Sequence, residues 1–163
     1  MGEAGESEAM RQYSFIIDPQ KNPLKGTDIP TVTAQEKGED IRYMYRNGRK
    51  VPYIHHYEKP EVARARAFYE YHIRKALKEL NLQPEKLKGP CYLTVNFFFK
   101  KKTSSVTPKP TKPDCDNLVK LFQDVLADVG FFEVGDQQIT SLHVNKYWFP
   151  SNKIAVFIGE LEE

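Results

Sequence analysis

Cysteine is scarce in this chain of 163 residues. Cys91 and Cys115 are its only two, too few for a disulfide scaffold or a zinc motif. Long apolar runs are missing as well. The longest are a few residues, far short of the roughly 20 that a membrane-spanning helix needs, so no membrane partner is expected. The four histidines, His55, His56, His72 and His143, have no ligand-like spacing and are assigned no chemistry. No segment repeats. The first ten residues are small and acidic with no apolar centre, so nothing there reads as a signal peptide. Residues 1–10 are expected to be a disordered leader and 11–163 a single domain, cytoplasmic in location.

Neither end carries a lysine or arginine, and this hides a segregation of charge. The formal net charge is +2, from 24 bases and 22 acids. Six of those acids sit at the ends: Glu3, Glu6, Glu8, Glu160, Glu162 and Glu163. The body therefore sets 16 acids against 24 bases, a net +8. A basic body suits a polyanionic partner.

What the chain does contain is a dense stretch from Lys112 to Ile139, KPDCDNLVKLFQDVLADVGFFEVGDQQI. Leu118, Leu121, Phe122, Val125, Leu126 and Val129 recur at spacings of three and four, one apolar helix face. Asp116 or Asn117 suits the N-cap and Gly130 the left-handed position after the last turn. The opposite face carries Asp116, Lys120 and Asp124, stacked four residues apart. Asp114 precedes the helix, and Asp136 follows it, just before a strand-like run. Several carboxylates beside one lysine are the donor set for a hard divalent cation, Mg²⁺ or Mn²⁺. Taken singly, each acid reads as a cap or a solvated charge; taken as a set they read as a site. Cys115 lies between two of them, its side chain expected to point away.

These residues resemble the RusA family of Holliday-junction resolvases. The resemblance rests on Pro113-Asp114-Cys115-Asp116-Asn117-Leu118-Val119-Lys120, then Asp124-Val125-Leu126, Gly130-Phe131-Phe132 and Asp136-Gln137-Gln138-Ile139. It implies that Asp114, Asp116 and Asp136 are catalytic metal-binding acids, Lys120 a catalytic lysine and Asp124 a further acid. It also implies a homodimer acting on branched DNA, a metal-dependent endonuclease of recombination and repair, in a phage or prophage setting. One position departs: where the family has an acidic pair before x-Gln, this chain has Gly135 and Asp136, and Glu133 is the nearby substitute. A non-catalytic branched-DNA-binding protein and a flap or other branched-DNA nuclease are the alternatives.

The rest of the chain supplies candidate DNA contacts. Gln12–Ile17 reads as a first strand, and 29–33 as a short second one. Ile41–Arg46 and Arg49–Ile54 flank Asn47-Gly48, a tight-turn pair, and so read as a hairpin. Arg42, Arg46, Arg49 and Lys50 alternate there with Tyr43, Tyr45 and Tyr53. Two readings stand: cations for phosphate and tyrosines for bases, or a solvated edge hairpin. Pro60–Leu80 is an amphipathic helix with a core stripe of Phe68, Tyr69, His72, Ile73, Ala76, Leu77 and Leu80. Its arginines, Arg66 among them, read mainly as a solvated face. Cys91–Phe99 alternates as a strand. The segment 100–112 holds Lys100, Lys101, Lys102, Lys109 and Lys112, is too polar to order itself, and leads into the acids as a strand-holding loop. Ile139–Phe149 and Lys153–Gly159 are two last strands; Lys146, on the first, is one more phosphate candidate. The order implies an α+β domain with one mixed sheet and two main helices.

Overall fold

Alternation is the clearest signal in the sequence, and it builds the centre of the sheet. The computed structural model describes residues 10–32 and 37–162; the expected leader lies outside them except for Met10. Strand β4, Cys91–Lys100, buries Cys91, Leu93, Val95, Phe97 and Phe99 on one face and leaves the alternate residues half-buried. Around it stand β1 (Gln12–Ile17), β5 (Thr107–Pro108), β6 (Ile139–Phe149) and β7 (Lys153–Glu160), in the order β1-β7-β4-β6-β5. The β4/β6 pair is parallel and the others antiparallel, so the sheet is mixed. A parallel pair needs a crossover between its strands. Here the crossover contains helix α2 (Cys115–Val129), the element that carries most of the acids.

Helix α1 (Pro60–Glu79) packs beside α2 on the same face of the sheet. Pro60 occupies its first turn, where no intrahelical N–H is needed. Three aromatic rings lock the layers together. Tyr69 of α1 meets Phe122 of α2 edge-on at 5.2 Å, and Phe122 meets Phe97 of β4 at 6.0 Å. All three are fully buried, and each such side chain contributes about 1.5–3 kcal/mol of transfer free energy. Gly130, at φ 103°, ends α2 in the left-handed conformation expected of it. The architecture is the α+β domain with a mixed sheet and two helices that the sequence implied.

The hairpin also forms, as β2 (Lys37–Arg46) and β3 (Arg49–Glu58), and it is longer than its sequence core. It makes a separate two-stranded sheet in which Gly38 is the one buried residue.

Four expectations are corrected. Residues 29–32 form no strand: Pro30 removes a ladder donor and Ile29 is buried in the core instead; Thr33 lies outside the described residues. Leu80 is 51% exposed, because it falls at the C-cap rather than in the helix body. The N-cap of α2 is Asp114, at φ −72° and ψ 147°, so the helix begins earlier than Asp116 or Asn117. Finally, the basic segment does acquire order. Thr107–Pro108 joins the sheet edge on β6, and Lys109 is buried.

Candidate active site and nucleic-acid interface

Asp114 stands at the head of α2, exposed, and its side chain makes no capping hydrogen bond. Asp116 and Lys120 follow one turn apart. With Asn117, Val119 and Gln123 they line an open cleft of ≈ 570 Å³, whose far wall is Leu142 and Val144 of β6. A lysine and a carboxylate thus share one cavity between helix and sheet. Beneath them lies the buried stripe Leu118, Val119, Leu121, Phe122, Val125 and Leu126. The acids are therefore mounted on the solvent side of an element whose other side is fixed in the core.

Asp124 belongs to a second group. It is eight residues from Asp116, about 12 Å along the helix axis at 1.5 Å per residue. Its carboxylate lies 3.5 Å from the Arg66 guanidinium of α1. Arg66 in turn holds Glu58 at 3.0 Å. Asp136 opens a short 3-10 turn, Asp136–Gln138, and is half-buried. Burial pushes the Asp124 carboxyl above its usual range; Arg66 pulls it down; Asp136 and Asp128 push it up again. Asp124 and Asp136 therefore sense each other across the α2–turn boundary. Among the described residues, no three His, Cys, Asp or Glu side chains come together closely enough to hold a metal. Asp114 and Asp116 thus stand at the head of α2 and Asp136 on the turn that follows it.

Gln138 fixes the turn that carries Asp136. Its amide nitrogen donates to the carbonyls of Leu87 (2.9 Å) and Gly89 (3.0 Å). Its amide oxygen accepts from the N–H groups of Val134 (2.7 Å) and Gly135 (3.3 Å). All four polar capacities of the side chain thus go to backbone, and the turn is tied to the strand-side loop. The sequence pointed to this glutamine only as part of a motif. Arg66, read from the sequence as a solvated charge, is the other residue whose role it missed. Its only sequence signal is a position on the helix face that the fold turns toward α2.

The basic candidates divide by orientation. On the hairpin, cross-strand register places Arg42 opposite Tyr53 and Arg46 opposite Arg49. Alternation then puts all three arginines on one ribbon face. Ile41, Tyr43, Tyr45, Pro52 and Ile54 share the other, with Lys50 over the Tyr43 ring at 4.4 Å. Lys100, Lys101, Lys102 and Lys112 are exposed along the segment that leads into α2. Lys109 is not: it is 6% exposed, packed over Trp148 and Phe99. Lys146 is half-buried and bonded to loop carbonyls. The ammonium groups of both lysines thus donate to protein carbonyls of residues 111–113.

Two comparisons bear on identity. Among curated proteins no relative matches the chain. The family profile described as Endodeoxyribonuclease RusA matches residues 38–159, which run from the hairpin through both helices to the last strand. No helix among the described residues is long and apolar enough to cross a membrane. With the acid-and-lysine helix inside that matched span, the chain belongs to the RusA family, the endodeoxyribonucleases that resolve Holliday junctions.

Proposed function

We propose that the chain is a metal-dependent, structure-selective endonuclease that cuts four-way junctions in pairs during recombination and repair. The observation that carries this reading is the shared cleft of Asp116 and Lys120 between α2 and β6. Asp114, Asp116 and Asp136 are the residues that would hold Mg²⁺ or Mn²⁺, with Asp124 beside Asp136. The donor chemistry fits, because all are carboxylate oxygens, the hard ligands these ions take. Mg²⁺ uses one or two carboxylates together with water and substrate phosphate, so a complete protein cage is not required. Crowding of Asp124 by Asp136 and Asp128 is also the kind of repulsion a cation relieves. When bound, the metal supplies Lewis-acid charge relief at the scissile phosphate and an activated water.

The chain's own residues do the rest. The Lys120 ammonium lies in the cleft where a phosphate oxygen would sit and stabilises its developing charge. The Asp116 carboxylate shares that cleft with it. Arg66 favours the ionised form of Asp124 despite its partial burial. The arginine face of the hairpin and the exposed lysines at 100–102 and 112 neutralise phosphates on the flanking arms. A junction has two equivalent strands to cut, and a C₂ homodimer offers two equivalent sites for them.

A second reading, a non-catalytic junction-binding protein, has Gly135 and the ungathered acids in its favour. One experiment separates them: a labelled synthetic four-way junction is incubated with and without Mg²⁺ or Mn²⁺, beside linear duplex and flap substrates. Paired, symmetric nicks in the junction alone support the resolvase. Equal cutting of duplex overturns structure selectivity, and binding without cutting at any metal concentration establishes the second reading.

A further inference from the structure

Segment 111–113 runs directly into Asp114, and two lysines grip it. The Lys109 ammonium donates to the Thr111 carbonyl (3.2 Å), the Thr111 hydroxyl (2.8 Å) and the Lys112 carbonyl. Lys146, on β6, donates to the Pro113 carbonyl at 2.7 Å and to the Thr111 carbonyl. The backbone joins the same two residues, Lys109 N–H to Lys146 C=O at 3.1 Å. Three consecutive carbonyls are thus held by two ammonium groups that share one acceptor.

Charge-assisted bonds of this kind are roughly twice as strong as neutral ones. The arrangement also has a penalty, since two like charges are brought together and one is buried. Burial, and after it Lys146, pushes the Lys109 ammonium below its usual pKa. The aromatic faces of Trp148 (4.6 Å) and Phe99 (5.2 Å) offset part of this. A lysine whose donors are already taken by backbone carbonyls, on the inside of a loop, is not placed to meet a phosphate.

We propose that Lys109 and Lys146 are positioning residues that clamp the Thr111–Pro113 carbonyls and so set the Asp114 carboxylate at the head of α2. This rests on the reading of Asp114 as part of the active site. The exposed Lys100, Lys101, Lys102 and Lys112 are then the members of the basic segment that meet DNA.

The test measures junction cleavage at saturating Mg²⁺, and junction affinity over a salt series, for Lys146→Met, Lys109→Met and Asp114→Asn, with Lys112→Met as a phosphate-contact control. A misplacement of about 1 Å costs on the order of 10² in rate, so Lys146→Met is expected to lose tenfold or more in kcat with KM and the salt slope unchanged. Loss of a phosphate contact instead lowers the slope of log K against log salt by about 0.9, the result expected for Lys112→Met. That slope change in Lys146→Met with kcat intact overturns the clamp. If Lys109→Met does not fold, Lys146→Met decides alone. If that also fails, Lys146→Arg decides: it keeps the charge but replaces a compact ammonium by a planar fork, so slower cutting at unchanged slope supports the clamp and a normal rate overturns it. Normal cutting by Asp114→Asn overturns the active-site reading itself. Normal cutting by Lys146→Met while Asp114→Asn is inactive overturns the clamp alone.

Discussion

The Arg66 guanidinium of α1 lies 3.5 Å from the Asp124 carboxylate of α2 and is the one positive charge among the groups that set that acid's pKa. Asp124 holds its proton more tightly in the folded chain than an isolated aspartate does, chiefly through burial. Arg66→Met removes the opposing pull and raises the pKa further. Ionised Asp124 then opposes folding at neutral pH, and protonation relieves it. The variant's stability deficit, about 1 kcal/mol or less because both groups are partly exposed, is expected at neutral pH. It should shrink as pH falls through the raised pKa, above the ordinary 3.8. Urea unfolding of variant and parent across that range reads this directly; a deficit that grows on acidification removes Arg66 from the role.

Asp116→Asn is expected to lower cleavage of a four-way junction at least 100-fold, about 2.7 kcal/mol of transition-state stabilisation, while leaving junction binding in place. Asp116 is exposed, so its replacement should move stability by no more than about 0.5 kcal/mol. Single-turnover cleavage, gel-shift affinity and a thermal melt together check it. A variant that cuts at the parental rate takes Asp116 out of the chemistry.

Gly135 stands where the resemblance to the RusA family leads one to expect an acid. Its backbone, at φ 164°, is extended, a conformation open to any residue. A Cβ there meets the Gln137 side-chain oxygen at 2.3 Å, and its next nearest contacts are atoms of that same flexible side chain. Gly135→Asp is therefore expected to fold, with Gln137 turning aside. It should reduce the Mg²⁺ concentration for half-maximal cleavage several-fold, since ligand charge count tunes affinity. A metal titration that gives the parental midpoint counts against a metal at this turn.

Gln138→Leu leaves the Val134 and Gly135 N–H groups and the Leu87 and Gly89 carbonyls without their amide partner. A loss of about 1–3 kcal/mol is expected for such groups, less where water reaches them. Because the same side chain fixes the turn at Asp136, kcat should fall with it. Gln138→Glu, which keeps the acceptor and loses the donor, should sit between the two. Equilibrium unfolding and cleavage rates of the three proteins give the order.

Replacing Arg42, Arg46 and Arg49 together by Gln should reduce the salt slope of junction affinity by up to about 2.7, at about 0.9 per phosphate contact. Tyr45→Ala, on the opposite ribbon face and 78% exposed, should leave that slope unchanged. Equal slopes in all three proteins would return the hairpin to the solvated-edge reading.

Much of the fold was legible because it rests on periodicity. Cys91 to Phe99 alternates, and Leu118 to Leu126 recurs at helical spacing; each pattern has one solution. That Asp116 and Lys120 share one side of the helix was legible for the same reason. Other features depend on what arrives from elsewhere in the chain. Asp114, Asp116 and Asn117 all satisfy N-cap chemistry, and the choice among them is made by where the incoming loop enters. Lys109 and Lys112 look alike in sequence; only the position of three carbonyls makes one an internal clamp and leaves the other exposed. Arg66 gained its role from the packing of α1 on α2, a relation no local pattern encodes.

The hairpin β2–β3, a ribbon of 10 residues on each arm with Gly38 its single buried residue, has an entropic consequence. Two strands without a third layer are at best marginally stable in water. The ribbon's stiffness then comes from whatever rests against it, and part of the attraction on each contact goes into taming its motion. Where the arginine face meets DNA as proposed above, affinity for any one straight arm is diminished by that amount, while tolerance for arms meeting at different angles increases. On the function proposed above, such a pliant ribbon would discriminate by geometry rather than by base sequence.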